Sequence, residues 1–145
     1  MKVVSLIGAL VLAAPLALGA QQSAAPAATQ PAMPPGFEIP KDMTIYFVAI
    51  YVRGPKYTAA QSPEQTELTR QHLKYIRKMI EEKKYVFAGP LLDGGDKLGI
   101  AVVAAATVEE AKRIAANDPA IAAGHMAPEI HPAMLPSLAS LVVKY

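Results

Sequence analysis

From Met43 onward the chain switches between two hydrophobic rhythms. MTIYFVAIYV, Met43 to Val52, is rich in β-branched and aromatic residues and apolar at odd and even positions alike, the pattern of a strand buried on both faces. A turn-bearing loop, RGPKYTAAQ, follows. Ser62-Pro63-Glu64-Gln65 then opens a helix, with Ser62 as N-cap, Pro63 in the first helical position and Gln65 completing a capping box. At about 100° per residue, Leu68, His72, Tyr75, Ile76, Met79 and Ile80 share one side, and Arg70, Lys74, Arg77 and Lys78 the other. This helix is expected to run to about Lys84. It carries an ionisable imidazole in the middle of its apolar face.

The next element, YVFAGPLL, is a short strand interrupted by Gly89-Pro90, which places it at a sheet edge where a missing N–H does least harm. Asp93-Gly94-Gly95-Asp96 reads as a turn. LGIAVVAAA, Leu98 to Ala106, has no polar side chain and is expected to be a central strand. Thr107-Val108-Glu109-Glu110 repeats the capping pattern and starts a second helix with Val108, Ala111, Ile114 and Ala115 as its apolar stripe. Asn117-Asp118-Pro119 stops it, because proline restricts the residue before it. After Gly124, HMAPEIHPAM is a last strand whose Pro128 and Pro132 again require an edge. PSLASLVVKY is either a short terminal helix or an extended tail.

The resulting order, β-α-β-β-α-β, is the split βαβ pattern of an α+β, ferredoxin-like fold. It predicts a four-stranded antiparallel sheet in the order 4-1-3-2, with both helices on one face. The other face still presents Val, Ile and aromatic side chains, more contiguous apolar surface than a monomer usually leaves wet. A homodimer packed sheet on sheet, closing a shared α/β barrel, is therefore expected.

The N-terminal segment changes the picture of where this domain works. MKVVSLIGALVLAAPLALGA has a lysine, an apolar run and a small-residue close at Gly19-Ala20, the order of a secretory signal peptide. Residues 1–20 are assigned to it, and a periplasmic or secreted location follows, with no stable membrane insertion once it is cleaved. Gln21 to Pro40 is a leader rich in Ala, Gln and Pro with a single charge, Glu38, expected to be flexible. The domain proper is 41–145. With 145 residues, 52% of them hydrophobic, the chain is long enough for one domain with a real core. Its formal charge is only +2, and no basic run alternates with aromatics, which argues against a nucleic-acid partner. Zero cysteines exclude a disulfide, a thiolate metal site and a cysteine nucleophile.

An imidazole turned toward a sheet loses water, and leaving it unpaired costs about 1–3 kcal/mol. Asp118, at the break after the second helix, is the best partner for His72. A carboxylate accepting from one ring nitrogen fixes the tautomer and frees the other nitrogen for acid–base work. The plainer alternative is a core histidine satisfied by a carboxylate, with Asp118 also N-capping the turn after Pro119. Among the remaining residues, His125, Glu129 and His131 share one face if their strand is regular, but no metal is expected there. Arg53 and Lys56, flanking Gly54-Pro55, read first as solvated loop charges and only second as a site for an anionic group. Tyr46 and Tyr51 point to opposite faces, one into the core and the other into an interface or pocket.

His72-Leu73, Ala88-Gly89-Pro90, Glu109-Glu110-Ala111, Asp118-Pro119-Ala120 followed by Ala123-Gly124, and Glu129-Ile130-His131-Pro132, in that order, resemble the YCII-related domain family over about Ile45 to Met134. The resemblance implies a dimeric ferredoxin-like barrel and an active site built on a His–Asp pair, which falls on His72 and Asp118. Many relatives carry an aromatic where this chain has Ala133, and most lack an export signal. Part of the family is linked to dehydrochlorinase-type chemistry. The expectation is a small cell-envelope enzyme that uses the pair for elimination or isomerisation of a small organic substrate, with Tyr46, Arg53, Gly89, Pro90 and His131 contacting that substrate and no cofactor required. The alternative is a non-catalytic dimeric module that binds a small molecule or serves as an interaction surface.

Overall fold

The computed structural model describes residues 33–144. The segment expected to be a signal peptide and the first part of the leader lie outside the described residues. The described end of the leader contains neither helix nor strand, only a turn closed by the Phe37 N–H on the Pro34 carbonyl at 3.0 Å. Thereafter come β1 (Met43–Arg53), α1 (Pro63–Glu81), β2 (Tyr85–Pro90), β3 (Lys97–Val103), α2 (Val108–Ala116), α3 (Pro119–Ala122) and β4 (Met126–Pro136). All strand pairs are antiparallel and the sheet order is β2-β3-β1-β4, the order that the alternation of elements and the placement of prolines predict.

The helices begin where side-chain caps dictate. The Ser62 hydroxyl accepts the Gln65 N–H at 3.2 Å, and the Thr107 hydroxyl accepts the Glu110 N–H at 3.1 Å. Glu110 returns a carboxylate oxygen to the Ala106 N–H at 2.8 Å, so one amide left orphaned in the first turn of α2 and the amide just before its cap are both satisfied. α1 stops at Glu81, short of the expected Lys84. Lys83 takes a positive φ of 57°, and the Lys84 N–H closes back on Met79 at 2.8 Å, turning the chain directly into β2.

Strand periodicity then sorts the side chains. Phe47, Ala49 and Tyr51 of β1 face α1 and α2, and with Ala101, Val103, Ile76, Met79, Tyr85, Ala111 and Ile114 they form the buried core. Register carries Val48, Ile50, Ile100, Val102, Glu129 and His131 to the opposite face. β4 pairs with β1 over its whole length, from Met126 opposite Arg53 to Pro136 opposite Met43. Pro128, Pro132 and Pro136 recur every fourth residue, so their missing N–H groups fall on one edge. Since the ladder to β1 is continuous, that edge is the outer one, where proline also discourages pairing with another strand. Beyond β4 the tail is not helical. The Ser137 N–H bonds the Asp42 carbonyl at 2.8 Å, and the Leu138 N–H bonds the Tyr46 hydroxyl at 2.9 Å.

The exit of β1 is locked to the approach to β4. The Gly54 N–H bonds the His125 carbonyl at 3.0 Å and the Lys56 N–H bonds the Gly124 carbonyl at 2.9 Å. A Cβ at Gly54 would overlap the Gly124 carbonyl oxygen, whereas one at Gly89 meets nothing within 4 Å. Gly54→Ala is therefore expected to lower unfolding stability by about 1–3 kcal/mol, the range for forced overpacking. Gly89→Ala should cost clearly less. Parallel urea titrations of the two variants measure the difference.

Candidate active site

His72 lies on the buried side of α1, and Asp118 sits between α2 and α3, where Pro119 ends one helix and starts the next. The two are 46 residues apart in sequence, yet His72 Nδ1 and Asp118 Oδ2 are 2.7 Å apart. Asp118 is fully buried, while the His72 side chain retains 17% exposure. The other carboxylate oxygen, Oδ1, accepts the Ala120 N–H at 2.9 Å and caps α3. A carboxylate can only accept, so Nδ1–H donates and, in the neutral imidazole, Nε2 carries the free lone pair.

Tyrosines hold the pair from below. The Tyr51 ring meets the His72 ring edge to face, with centroids 6.4 Å apart and planes at 89°. The Tyr51 hydroxyl is 2.9 Å from that of Tyr85. Tyr75 donates to the Ile114 carbonyl at 2.5 Å, tying α1 to α2 beside the pair. Burial drives the Tyr51 and Tyr85 hydroxyls well above the ordinary phenol range, with the negative charge of Asp118 adding to the effect. Tyr75 is pushed up to about 12, by burial first and then by Asp118 and Glu82. All three therefore stay neutral donors at physiological pH.

The other sequence-derived site residues divide between the two faces of the sheet. Arg53 ends β1 on the helix side. It forms an ion pair with Asp96 at 3.0 Å, donates to the Gly95 carbonyl at 3.4 Å, and its guanidinium lies 4.9 Å from the centre of the Tyr57 ring. Tyr46 and His131 lie on the far face. The Tyr46 hydroxyl is taken by the Leu138 N–H, and its ring lines an apolar hollow of about 490 Å³ with Ile80, Tyr85 and the C-terminal tail. His131 is exposed opposite Val48, next to Glu129 opposite Ile50. Gly89 pairs with Ile100, and Pro90 is exposed at the end of β2. Within one protomer these four do not converge on His72 and Asp118. Strand parity puts Tyr46, His131 and Gly89 on the far face, whereas Pro90, opposite Gly99 and through it Tyr51, lies on the helix side at the exposed end of β2.

A second hollow, also about 490 Å³, opens on the helix side between the loop after β1, the first turns of α1 and His125. Its walls include Thr58, Gln61, Gln65, Thr66 and Thr69. Gln65 and Thr69 precede His72 by seven and three residues, so they sit on the same side of α1. The Tyr57 and His125 rings lie 5.0 Å apart. His125 therefore turns away from Glu129 and His131 rather than joining them. Sequence reasoning missed Tyr57, Thr69 and the contact of Tyr51 with His72. Only the helical spacing of Gln65, Thr69 and His72 gave any signal of them.

The sequence profile of the YCII-related domain family matches residues 46–131, more than half of the chain, and the chain belongs to that family. Among solved structures, it is similar to the 5-chloro-2-hydroxyhydroquinone dehydrochlorinase of Burkholderia phenoliruptrix AC1100, determined as a complex with 2,5-dihydroxybenzoquinone. The identity is 22%, the match covers 59% of this chain and 90% of the other, and the TM-score is 0.43. No curated protein matches the sequence.

The buried tyrosines predict an alkaline limit. Their folded-state values lie above the ordinary 10.0, so their contribution to stability is intact below about pH 10 and is lost as pH rises beyond it. Stability measured from pH 8 to 12 should fall above pH 10. In the Tyr51→Phe, Tyr85→Phe double variant that fall should be shallower, although stability at pH 8 is lower. Asp118→Ala, which strips both the α3 cap and the imidazole partner, is expected to cost about 1–3 kcal/mol at neutral pH in the same assay.

Proposed function

We propose that this chain is a small enzyme of the cell envelope in which His72, oriented by Asp118, transfers a proton during elimination or isomerisation of a small oxygenated organic compound. The observation that carries this reading is the 2.7 Å contact between a fully buried carboxylate and an imidazole that keeps access to solvent. The buried partner fixes the tautomer, and the accessible ring offers Nε2 as a base. In an elimination, Nε2 takes a proton from a carbon next to a carbonyl. The released electron pair becomes a carbon–carbon double bond and expels the leaving group, while Asp118 balances the imidazolium charge. Membership of the YCII-related domain family supports the His–Asp assignment. The hollow lined by Gln65 and Thr69, which share the His72 side of α1, is the proposed substrate site.

The working form is proposed to be a homodimer, built on the sheet face that carries Val48, Ile50 and Ile100. Export by residues 1–20 places it in the periplasm or outside the cell. One observation favours a second reading, a non-catalytic binding module: Asp118 also caps α3, so the pair has an architectural role whether or not chemistry occurs.

Screening small oxygenated compounds by thermal shift, then following leaving-group release or solvent deuterium uptake on the hits, separates the two readings. The enzyme reading expects His72→Gln to reduce turnover by about 10²–10⁴-fold while the melting temperature stays within a few degrees of wild type. Ligand-induced stabilisation with no turnover by any hit favours the binding module. For the dimer, light scattering should give twice the protomer mass for wild type and the protomer mass for Ile50→Arg. A monomeric wild type overturns that assembly.

A further inference from the structure

The turn between β2 and β3 holds an Asp93-Gly94 peptide that takes no part in the chemistry proposed above. An aspartyl side chain is open to attack by the backbone nitrogen of the next residue when that nitrogen is unbonded, uncrowded, wet and close. Asp93 meets each condition. The Gly94 N–H has no hydrogen-bond partner among the described residues, and glycine places no Cβ beside it. Asp93, Gly94 and Gly95 are all exposed, and a Cβ built at Gly94 would meet nothing within 4 Å. The Gly95 N–H donates to Asp93 Oδ1 at 3.1 Å, a bond that spans the Gly94 peptide and folds the carboxyl group back along its own backbone. The other aspartates of the chain, Asp42, Asp96 and Asp118, each fail one condition. After Asp42, the Met43 N–H is committed to the Pro40 carbonyl at 2.9 Å. Asp96 precedes Lys97, whose side chain crowds the nitrogen. Asp118 is buried and precedes a proline, which has no N–H.

We propose that Asp93 is a site of spontaneous isoaspartate formation, and that the rearranged turn lets go of Arg53. The Gly94 nitrogen attacks Cγ of the Asp93 carboxylic acid. A carbon–nitrogen bond forms, and the acid's hydroxyl leaves as water with the nitrogen's proton, closing a succinimide ring. Water then opens the ring. Addition at Cγ restores aspartate, whereas addition at the backbone carbonyl carbon leaves the chain running through Cβ and Cγ, with the former backbone carbonyl as a free carboxylate. One water leaves and one returns, and no oxidant, reductant or catalyst enters. The product's backbone is longer by one carbon, inserted where Arg53 is held. The Arg53 N–H bonds the Asp96 carbonyl at 3.2 Å, and its side chain pairs with the Asp96 carboxylate at 3.0 Å and donates to the Gly95 carbonyl at 3.4 Å. A lengthened turn cannot present Gly95 and Asp96 together in that geometry. The guanidinium, 4.9 Å from the centre of the Tyr57 ring, then loses its anchors, and the change reaches the wall that Tyr57 gives to the hollow beside α1.

The test ages the folded protein at neutral pH, digests it, and quantifies isoaspartate at each aspartate by electron-transfer fragmentation in a mass spectrometer. A synthetic peptide of residues 85–97 is aged beside it. Isoaspartate is expected to build up at Asp93, to exceed that at Asp42 and Asp96 by at least an order of magnitude, and to form in the folded protein no more slowly than in the peptide. Asp93→Glu keeps the charge but would have to close a larger, slower-forming ring, so it should remove the signal while the domain stays folded. The isomerised protein, separated by ion exchange, should show displaced NMR amide resonances at Arg53, Tyr57, Gly95 and Asp96, with those of α2 in place. Levels at Asp93 no higher than at Asp42 or Asp96, or conversion slower in the folded protein than in the peptide, would overturn the modification site. Undisplaced Arg53 and Tyr57 resonances in the isomerised protein would overturn the release of Arg53.

Discussion

The structure depends on what a single buried carboxylate does with its two oxygens. Asp118 is removed from water, a burial that is costly unless hydrogen bonds replace the lost hydration. One oxygen meets the His72 ring and the other the Ala120 amide. The first bond ties α1 to the junction of α2 and α3, and the second lets the chain turn immediately after Pro119 toward β4. Because both bonds end on the same group, the position of the imidazole and the path of the backbone cannot be adjusted independently. Tyr51, Tyr75 and Tyr85 extend this constraint into the core as neutral donors and ring edges, and their hydroxyls are held neutral in part by the charge they surround.

A second constraint is the two-sidedness of the sheet. Odd residues of β1 build the core beneath the helices, and even residues build a face of Val48, Ile50 and Val52 on which no helix of the described residues packs. The prolines of β4 keep that strand paired on its inner side only. Growth by adding strands at this edge is therefore disfavoured. The polar residues Glu129 and His131 lie on that face, away from the helices, so any role they have differs from that of His72.

Family membership and side-chain geometry bear on different parts of the question. The match to the YCII-related domain family covers both main helices and the sheet as far as the middle of β4, but leaves the end of β4, the leader and the C-terminal tail unaccounted for. The tail is part of this fold in its own right, since Leu138 takes up the Tyr46 hydroxyl and thereby assigns to the tail a tyrosine that sequence reading had placed beside the substrate. The hollow next to α1 is formed by a loop with few regular hydrogen bonds, held in place by the Gly54 and Gly124 crossing.

Several features were legible in the sequence because local chemistry determines them. The caps at Ser62 and Thr107, the stop at Pro119, the edge positions of the proline-bearing strands and the strand order all follow from residue types at fixed spacing. The inward position of His72 followed from helical period, and Asp118 stood out as the carboxylate at the helix break. What sequence period cannot supply is which surfaces meet across the fold. Tyr46 and Gly89 look as eligible as Arg53 when read along the chain, and only the register of β1 against β3 and β4 puts them on opposite sides of the sheet. The tilted contact of the His125 ring with that of Tyr57 and the enclosure of His125 Nδ1 likewise arise only once distant segments pack. A sequence encodes periods and breaks along one dimension, whereas a binding site is a set of directions in three.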